Sequence, residues 1–183
     1  MIAALHNRSI NRTRTKQVFV TSYDPAWAAA FEAIRAELAA ALGALALRIE
    51  HVGSTSVPGL AAKPIIDIDV VIADRTALPA VIDALAGIGY QHEGDLGIPD
   101  REAFRYDHKP QLLTHHLYVC PADSAELQRH LRFRDFLRSH PEAAQRYGDV
   151  KRQAAALYPT DIDQYIAYKS GCIADLYRQC GLD

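Results

Sequence analysis

A short apolar segment that carries two aspartates limits how this chain can fold. Residues 65–72, Ile-Ile-Asp-Ile-Asp-Val-Val-Ile, have the composition of a buried β-strand at every position except Asp67 and Asp69. Side chains two positions apart on a strand point to the same face, so the two carboxylates are predicted to lie side by side. Because neighbouring buried carboxylates repel each other and are costly to ionise, the pair requires divalent cations, hydrogen bonds or a captured proton.

A turn made of glycine and hydroxyl residues precedes this strand. Gly53, Ser54 and Thr55 offer a backbone that can approach a phosphate closely, together with N–H groups and hydroxyls that can donate hydrogen bonds to it. Magnesium or manganese held by Asp67 and Asp69 would bridge the phosphates of a nucleotide bound there. The order of turn and strand is therefore what metal-assisted nucleotidyl transfer requires.

The region around these motifs resembles a known family. Residues 51–68, His-Val-Gly-Ser-Thr-Ser-Val-Pro-Gly-Leu-Ala-Ala-Lys-Pro-Ile-Ile-Asp-Ile, resemble the signature of the GrpB family, whose members have a polymerase-β-type nucleotidyltransferase fold. The likeness covers nearly everything after residue 18, and further blocks that resemble the family are 115–119, 133–138, Tyr147 with Lys151, and Tyr165 with Lys169. The resemblance implies a nucleotidyltransferase-like domain, and it brings no established substrate with it.

Polymerase-β-type enzymes usually add a third carboxylate from a neighbouring strand, and this chain departs from that pattern. The predicted strand 112–120 contains no aspartate, and its alternation places His116 on the more polar face. We predict His116 as the replacement partner, as a metal ligand or a general base, although a plain hydrogen-bonding role is the alternative. His115 has weaker support, and Glu102 on the preceding predicted strand is a fallback carboxylate.

Three basic residues are predicted to bind phosphate. Lys63 lies four residues before Asp67, and Arg101 and Lys169 occupy positions that resemble family blocks. Guanidinium groups match phosphate geometry, although a surface role is the alternative for each of the three residues. The arginines of a later predicted helix are interpreted instead as a solvated face: Arg129, Arg132, Arg134 and Arg138.

Composition limits the classes of protein to which the chain can belong. A length of 183 residues with 49% hydrophobic content predicts one domain with a substantial core, and the net charge of −2 argues against a nucleic-acid partner. No apolar run approaches the roughly 20 residues of a membrane-spanning helix, and no signal segment opens the chain, so we expect no membrane partner and a cytoplasmic location. The three cysteines are expected to be reduced thiols.

The order of motifs predicts an α+β fold, a nucleotidyltransferase-like mixed β-sheet flanked by helices, with a helical C-terminal part. Residues 1–17 are predicted to be a flexible basic tail, with a nucleic-acid arm as the alternative, and residues 18–183 a single domain. A first helix should follow Asp24 and Pro25 and bury Trp27, Phe31, Ile34, Leu38 and Leu42, and a short edge strand or lead-in should cover 18–20. Thr76 should cap a second helix, and Asp123 or Ser124 a later one. Residues 101–106 and 112–120 should form the two strands of an antiparallel hairpin.

Three functions remain open from the sequence. The first is a metal-dependent nucleotidyltransferase that moves a nucleoside monophosphate from a nucleoside triphosphate to an unknown acceptor. The second is a catalytically inactive domain of the same fold that binds a nucleotide or another phosphorylated metabolite. The third is a protein-interaction module in which the aspartates are structural.

Overall fold

The computed structural model describes residues 17–182, and a mixed five-stranded sheet lies at its centre. Residues 1–16 are outside the described part, so the predicted tail stays a prediction. The helices and strands are α1 (Ala26–Leu42), β1 (Arg48–Val52), β2 (Ile66–Ile72), α2 (Leu78–Ala86), β3 (Tyr90–Gly94), β4 (Glu102–Tyr106), β5 (His115–Pro121), α3 (Ala125–Ser139), α4 (Pro141–Leu157) and α5 (Ile162–Gln179).

The strand order of the sheet is β1-β2-β5-β4-β3. Strands β2 and β5 are parallel, and the other neighbouring pairs are antiparallel. The predicted α+β class with a mixed sheet is confirmed, and so is the antiparallel pairing of the two strands that flank the segment 107–114.

Helices α1 and α2 cover one face of the sheet. The side chains predicted from the helical spacing of α1, which are Trp27, Phe31, Ile34, Leu38 and Leu42, are all buried in the main core. From β2, alternate residues Ile66, Ile68, Val70 and Ile72 join the same core. The intervening residues Asp67 and Asp69 therefore share the opposite face, as the period of a strand predicts.

The C-terminal helices lie near that opposite face. Leu127 of α3 packs on Val71 and Cys120 of the sheet, and α4 and α5 pack against each other. An apolar cluster joins α3, α4 and α5 to Val57 and Leu60, which follow the Gly-Ser-Thr turn. The fold therefore places three helices beside the two predicted motifs.

Several local predictions need correction. Residues 18–20 form no strand, and the pairing there is an isolated bridge between Thr21 and Ala62. Thr76 does not cap α2; instead, the carboxylate of Asp74 accepts a hydrogen bond from the Thr76 backbone N–H and stabilises a preceding 3₁₀ turn. Ser124 caps α3 as predicted, because its hydroxyl accepts from the Leu127 N–H.

Two expectations concern membranes and cysteines. Among the described helices, none is long and apolar enough to span a membrane. Within residues 17–182 the three cysteines, Cys120, Cys172 and Cys180, are free thiols, as expected.

Candidate functional site

A cavity of about 490 Å³ opens between the Asp67 face of the sheet and the three C-terminal helices. Residues of the Gly-Ser turn, of β2 and β5, and of α3, α4 and α5 line it. Among the predicted site residues, those that line the cavity are Gly53, Ser54, Lys63, Asp67, Arg101, His116 and Lys169. Residues far apart in the sequence thus meet at one place.

Gly53 is in direct contact with Asp67. Its backbone has φ of 69° and ψ of −171°, a left-handed conformation that side chains rarely adopt. A Cβ built on Gly53 would overlap the carboxylate oxygen Oδ2 of Asp67 and would lie 2.8 Å from Asp67 Cβ. Only glycine therefore allows the turn to pack on the first aspartate of the Asp-x-Asp strand.

Asp67 is hydrogen-bonded to His116, which lies opposite it on β5. The two residues are 2.8 Å apart between His116 Nδ1 and Asp67 Oδ1, and the Asp67 side chain keeps 31% of its surface exposed. Burial would raise the pKa of Asp67, but the hydrogen bond from His116 and the charge of Lys63 hold that pKa below its ordinary value. Asp67 is thus an ionised group that faces the cavity.

Asp69 is fully buried and is paired with a histidine that the sequence analysis missed. His130 Nδ1 of α3 lies 2.7 Å from Asp69 Oδ2, and His130 Nε2 lies 3.3 Å from Glu126 Oε1. Burial would lower the pKa of His130, but Asp69 and Glu126 raise it to about 10. The imidazole is therefore a cation at neutral pH, and the i,i+4 spacing of Glu126 and His130 is the sequence signal that could have suggested this pair.

The two hydroxyls of the turn have different surroundings. Ser54 lines the cavity, and its Oγ accepts a hydrogen bond of 2.9 Å from Nζ of Lys151 on α4. Thr55 is buried, donates to the Ile65 carbonyl at 3.2 Å, and lies 3.0 Å from His51 Nε2. The Thr55 hydroxyl thus connects the turn to the start of β2, while Ser54 faces the space where a ligand would bind.

The predicted phosphate-binding cations are buried or half-buried at the cavity. Arg101 is 3% exposed, and its guanidinium lies 4.5 Å from the ring centroid of Tyr118. Lys63 and Lys169 both lie near the ring of Tyr165, at 5.9 and 4.9 Å from its centroid. Lys151 joins them on the cavity surface, although nothing in its local sequence predicted a role in phosphate binding.

The interpretation of the arginines of α3 as a solvated face is wrong for Arg134, whose side chain is 12% exposed, whereas Arg138 is 41% exposed but also contacts the turn. Arg134 donates to the His51 carbonyl at 3.1 Å and pairs with Glu50 at 2.8 Å. Arg138 donates to the Ser56 carbonyl through Nε at 3.0 Å and through Nη2 at 2.8 Å. These guanidinium groups hold the backbone on both sides of the Gly-Ser turn, so α3 fixes the position of that turn.

The two lesser candidates lie elsewhere. His115 is buried on the core side, where its Nε2 is 2.7 Å from the Tyr90 hydroxyl. Glu102 pairs with His92 at 2.6 Å and does not line the cavity. Neither residue supplies the missing third carboxylate.

The described residues do not form a complete metal site by themselves, but their carboxylates fit magnesium or manganese bound together with a ligand. Within residues 17–182, no group of three or more histidine, cysteine, aspartate or glutamate side chains is arranged to hold a metal ion. One face of β2 does offer two carboxylates: Asp67 lines the cavity, whereas Asp69 is fully buried and does not line it, but its Oδ1 has no hydrogen-bond partner among the described residues. Because Mg²⁺ is usually held by one or two carboxylates together with substrate phosphates and water, the set fits an ion that binds with a phosphorylated ligand.

The fold and the cavity define a class of protein, an α+β domain whose glycine turn and Asp-x-Asp strand adjoin a cation-lined site. Residues 17–179 match the model of the family described as "GrpB protein". The chain therefore belongs to the GrpB family, as the motifs indicated.

Known relatives agree with this assignment. UPF0157 protein YqkA of Bacillus subtilis is 35% identical over 154 residues, which cover 84% of this chain and 44% of that protein. A dephospho-CoA kinase of Mycolicibacterium paratuberculosis is 32% identical over 197 residues, which cover 95% of this chain and 48% of that protein. The chain thus spans about half the length of these two relatives. The crystal structure of the conserved protein GrpB from Enterococcus faecalis has a TM-score of 0.75 and 36% identity, and the match covers 88% of this chain and 98% of that one.

Proposed function

We propose that this protein is a magnesium- or manganese-dependent nucleotidyltransferase that moves a nucleoside monophosphate from a nucleoside triphosphate to an acceptor. The single observation that supports this most is the contact between Gly53 and Asp67 at the surface of a cation-lined cavity. That contact places an ionised carboxylate beside a turn suited to phosphate oxygens. Nucleoside triphosphates are cytoplasmic metabolites, so we expect the protein to act in the cytoplasm.

The residues divide into three roles in this proposal. Asp67 and Asp69 would hold the metal, which would neutralise charge on the phosphates and activate the acceptor hydroxyl. Ser54, Lys63, Arg101 and Lys169 would bind and orient the phosphates through hydrogen bonds and charge. Thr55 would support the turn from behind, through its bond to Ile65.

The proposed reaction balances without a further reactant. An acceptor oxygen forms a bond to the α-phosphorus, the bond from that phosphorus to the bridging oxygen of the β-phosphate breaks, and pyrophosphate leaves with the bonding electrons. The proton of the acceptor passes to a base, and His116 is the candidate. His116 already forms a hydrogen bond with Asp67, so it can also orient that carboxylate.

A second function is favoured by one specific observation. β5 is a strand next to β2, and the residue that it places opposite Asp67 is His116 and not the third carboxylate that polymerase-β-type enzymes usually add from a neighbouring strand. A domain that binds nucleotides or phosphorylated metabolites without transfer would have this arrangement. Because a relative is a dephospho-CoA kinase, adenine nucleotides and dephospho-CoA are the first ligands to test for either function.

Calorimetric titration of ATP, CTP, GTP, UTP and dephospho-CoA in the presence of magnesium tests whether the site binds nucleotides. We expect Asp67→Asn to abolish metal-dependent binding and to leave the protein folded, because asparagine keeps the shape of the side chain and an oxygen that can accept the hydrogen bond from His116. Asp83→Asn on the exposed surface of α2 is the matched control and should bind as the wild type does. Unaltered binding by Asp67→Asn would rule out the metal role, and absence of all binding would favour an interaction module with structural aspartates.

Pyrophosphate release in a screen of acceptors separates transfer from binding alone. His116→Asp supplies the missing carboxylate next to Asp67, so we expect this variant to release pyrophosphate faster if β5 occupies the third-acid position. Nucleotide binding without pyrophosphate release from either protein, with every acceptor class tried, would support the second function.

A further inference from the structure

Three lysines from three separate segments converge on the cavity. Lys63 follows the Gly-Ser turn, Lys151 lies on α4, and Lys169 lies on α5. Their charges act on one another: Lys63 lowers the pKa of Lys169, and Lys169 lowers the pKa of Lys151. Lys63 and Lys169 also lie near the same ring, that of Tyr165, and all three lysines line one cavity, so they form one cationic cluster.

Within residues 17–182, none of these lysines has a carboxylate at ion-pair distance. Lys151 is only 2% exposed, and its Nζ contacts the Ser54 hydroxyl and lies 4.3 Å from the Tyr147 ring centroid. By contrast, Arg134 at the same cavity is paired with Glu50. Among the described residues that line the cavity, Asp67 is the one acidic residue, so the cavity has an excess of positive charge.

Buried ammonium groups without anionic partners are costly to the folded state. Burial lowers the pKa of all three lysines, that of Lys169 to about 8, and the charge of Asp67, which acts on each of them, offsets only a part of this shift. Contacts with the rings of Tyr147 and Tyr165 offset a part of this cost, but an aromatic ring does not neutralise a charge. An anion that enters from solvent would remove the cost, and groups that only stabilised the fold would have carboxylates beside them.

The shape of the cluster indicates the chemistry of this anion. Cations that approach from three different segments suit an extended anion with several charges better than a single compact one. The Ser54 hydroxyl and the turn at Gly53, which lie next to Lys151, suit the tetrahedral oxygens of phosphate. A linear chain of phosphates has both properties.

We propose that Lys63, Lys151 and Lys169, together with Ser54, form a binding site for a chain of at least two linked phosphates, and that this site binds such a chain without a divalent metal. The inference deepens the proposed function and rests on it for the nucleoside attached to the chain. The metal at Asp67 and Asp69 then serves a different part of the ligand, nearer to the sheet.

The first test is a calorimetric series in EDTA with inorganic phosphate, pyrophosphate and tripolyphosphate, and with AMP, ADP and ATP. We expect affinity to rise roughly tenfold with each added phosphate, the size expected for one further charge-assisted hydrogen bond. Citrate, a compact anion of comparable charge, is the comparator and should bind more weakly than tripolyphosphate. Equal affinity for all these anions would overturn the proposal.

The second test removes the lysines one at a time. Lys151→Met and Lys169→Met should each reduce tripolyphosphate affinity at least tenfold and flatten the dependence on chain length. Arg152→Gln is the matched control. It also removes one positive charge from α4, but Arg152 is exposed and paired with Asp149. This control should change the tripolyphosphate affinity less than twofold. A loss of affinity as large as that of the lysine variants would show that only the net charge of the protein matters, and it would overturn the proposal.

Thermal unfolding distinguishes a ligand-binding lysine from a structural one. If Lys151 binds a ligand and does not stabilise the fold, Lys151→Met should leave the melting temperature unchanged or raise it. If Lys151 only holds Ser54 in position, the variant should have a lower melting temperature, and its affinity should fall equally for AMP, ADP and ATP. That second pattern would overturn the proposal.

The outcomes separate this inference from the proposed function. Tripolyphosphate binding without nucleotide-specific binding or pyrophosphate release would support the lysine site and overturn the transferase. Nucleotide binding that depends on magnesium and not on the number of phosphates would support the transferase and overturn the lysine site. Absence of binding by every phosphate compound would overturn both.

Discussion

The two sides of the cavity differ in how their charges are compensated. On the sheet, each aspartate has an imidazole as a partner, His116 for Asp67 and His130 for Asp69. On the helical side, Lys151 and Lys169 face the same space with no carboxylate partner among the described residues. Each aspartate therefore has a cationic or hydrogen-bonding partner within the chain, although Asp69 Oδ1 has none, whereas the lysines have no carboxylate at ion-pair distance and keep their positive charge for a ligand.

This difference indicates which side fixes the site and which side responds to a ligand. Asp67 and Asp69 lie on a strand in the middle of the sheet, between β1 and β5, and Gly53 packs directly on Asp67. A site on rigid strands holds its geometry before a ligand binds. The lysines have long, flexible side chains, so they can adjust to a bound anion while the carboxylates stay in place.

The largest expected effect comes from removing His130, the residue that compensates the charge of Asp69 on the sheet. His130→Ala leaves Asp69 as a buried charge without its cationic partner, and removal of one partner of a buried pair typically costs about 3–5 kcal/mol. We expect a loss of this size in the free energy of unfolding at pH 7, measured by urea denaturation. The double variant Asp69→Asn, His130→Gln should recover much of the loss, because it removes both charges. A single variant as stable as the wild type would show that His130 does not compensate Asp69.

The next effect concerns the contact between the turn and the strand. Gly53→Ala introduces a side chain at a left-handed φ and overlaps the Asp67 carboxylate, and each of these effects costs about 1–3 kcal/mol. Gly59→Ala is the matched control, since Gly59 also has a positive φ of 81° but has no atom within 4 Å of the added Cβ. We expect Gly53→Ala to lose more stability than the control and to lose nucleotide binding. Equal losses would mean that contact with Asp67 adds nothing to the strain of the backbone.

The sequence predicted the sheet side of this comparison better than the helical side. Alternation along residues 66–72 was sufficient to place Asp67 and Asp69 on one face, and the spacing of Trp27 to Leu42 was sufficient for α1. These patterns are local, and a period of two or of 3.6 residues determines which face is buried. Lys63 and Ser54 were placed at the site by their distance from the same strand.

The residues that were missed all depend on contacts between distant segments. His130 reaches Asp69 across 61 positions, and Lys151 reaches Ser54 across 97 positions. No periodicity connects such residues, because the packing of α3 and α4 on the sheet decides which side chains meet. The contacts of Arg134 and Arg138 with the turn could not be predicted for the same reason, since the many charges of α3 indicate a solvated face and give no sign that two arginines donate to backbone carbonyl groups of a distant segment.

On the helical side, substitution of Lys169 is expected to increase the free energy of unfolding, by less than the decrease expected on the sheet. The pKa of Lys169 is about 8 in the folded protein, below the ordinary value of 10.5. Both states are protonated below pH 8, so the cost of the buried charge is fully present there and is removed as pH rises from 8 to 10.5. Lys169→Met should therefore raise the free energy of unfolding by roughly 1–3 kcal/mol at pH 7, and its advantage over wild type should disappear towards pH 10.5. Destabilisation at pH 7 would indicate that Lys169 supports the fold.

The smallest effect is a change of anion affinity with pH. Lys169 faces Lys63 and Asp67, and its ammonium lies over the Tyr165 ring. Its pKa of about 8 means that the fraction of cationic Lys169 falls by about twofold between pH 7 and pH 8. If the cation binds phosphate, tripolyphosphate affinity measured in EDTA should fall by about the same factor and more steeply at pH 9.

The matched control for this pH dependence is Lys169→Met. The variant binds more weakly at every pH, but it lacks the group that titrates near pH 8, so its affinity should change less between pH 7 and pH 8 than that of wild type. Ionisation of the ligand is the same in both titrations and cancels in the ratio of the two affinities. If that ratio stays constant with pH, Lys169 does not contribute its charge to the bound anion, and the contrast between compensated aspartates and uncompensated lysines would then have to rest on Lys63 and Lys151.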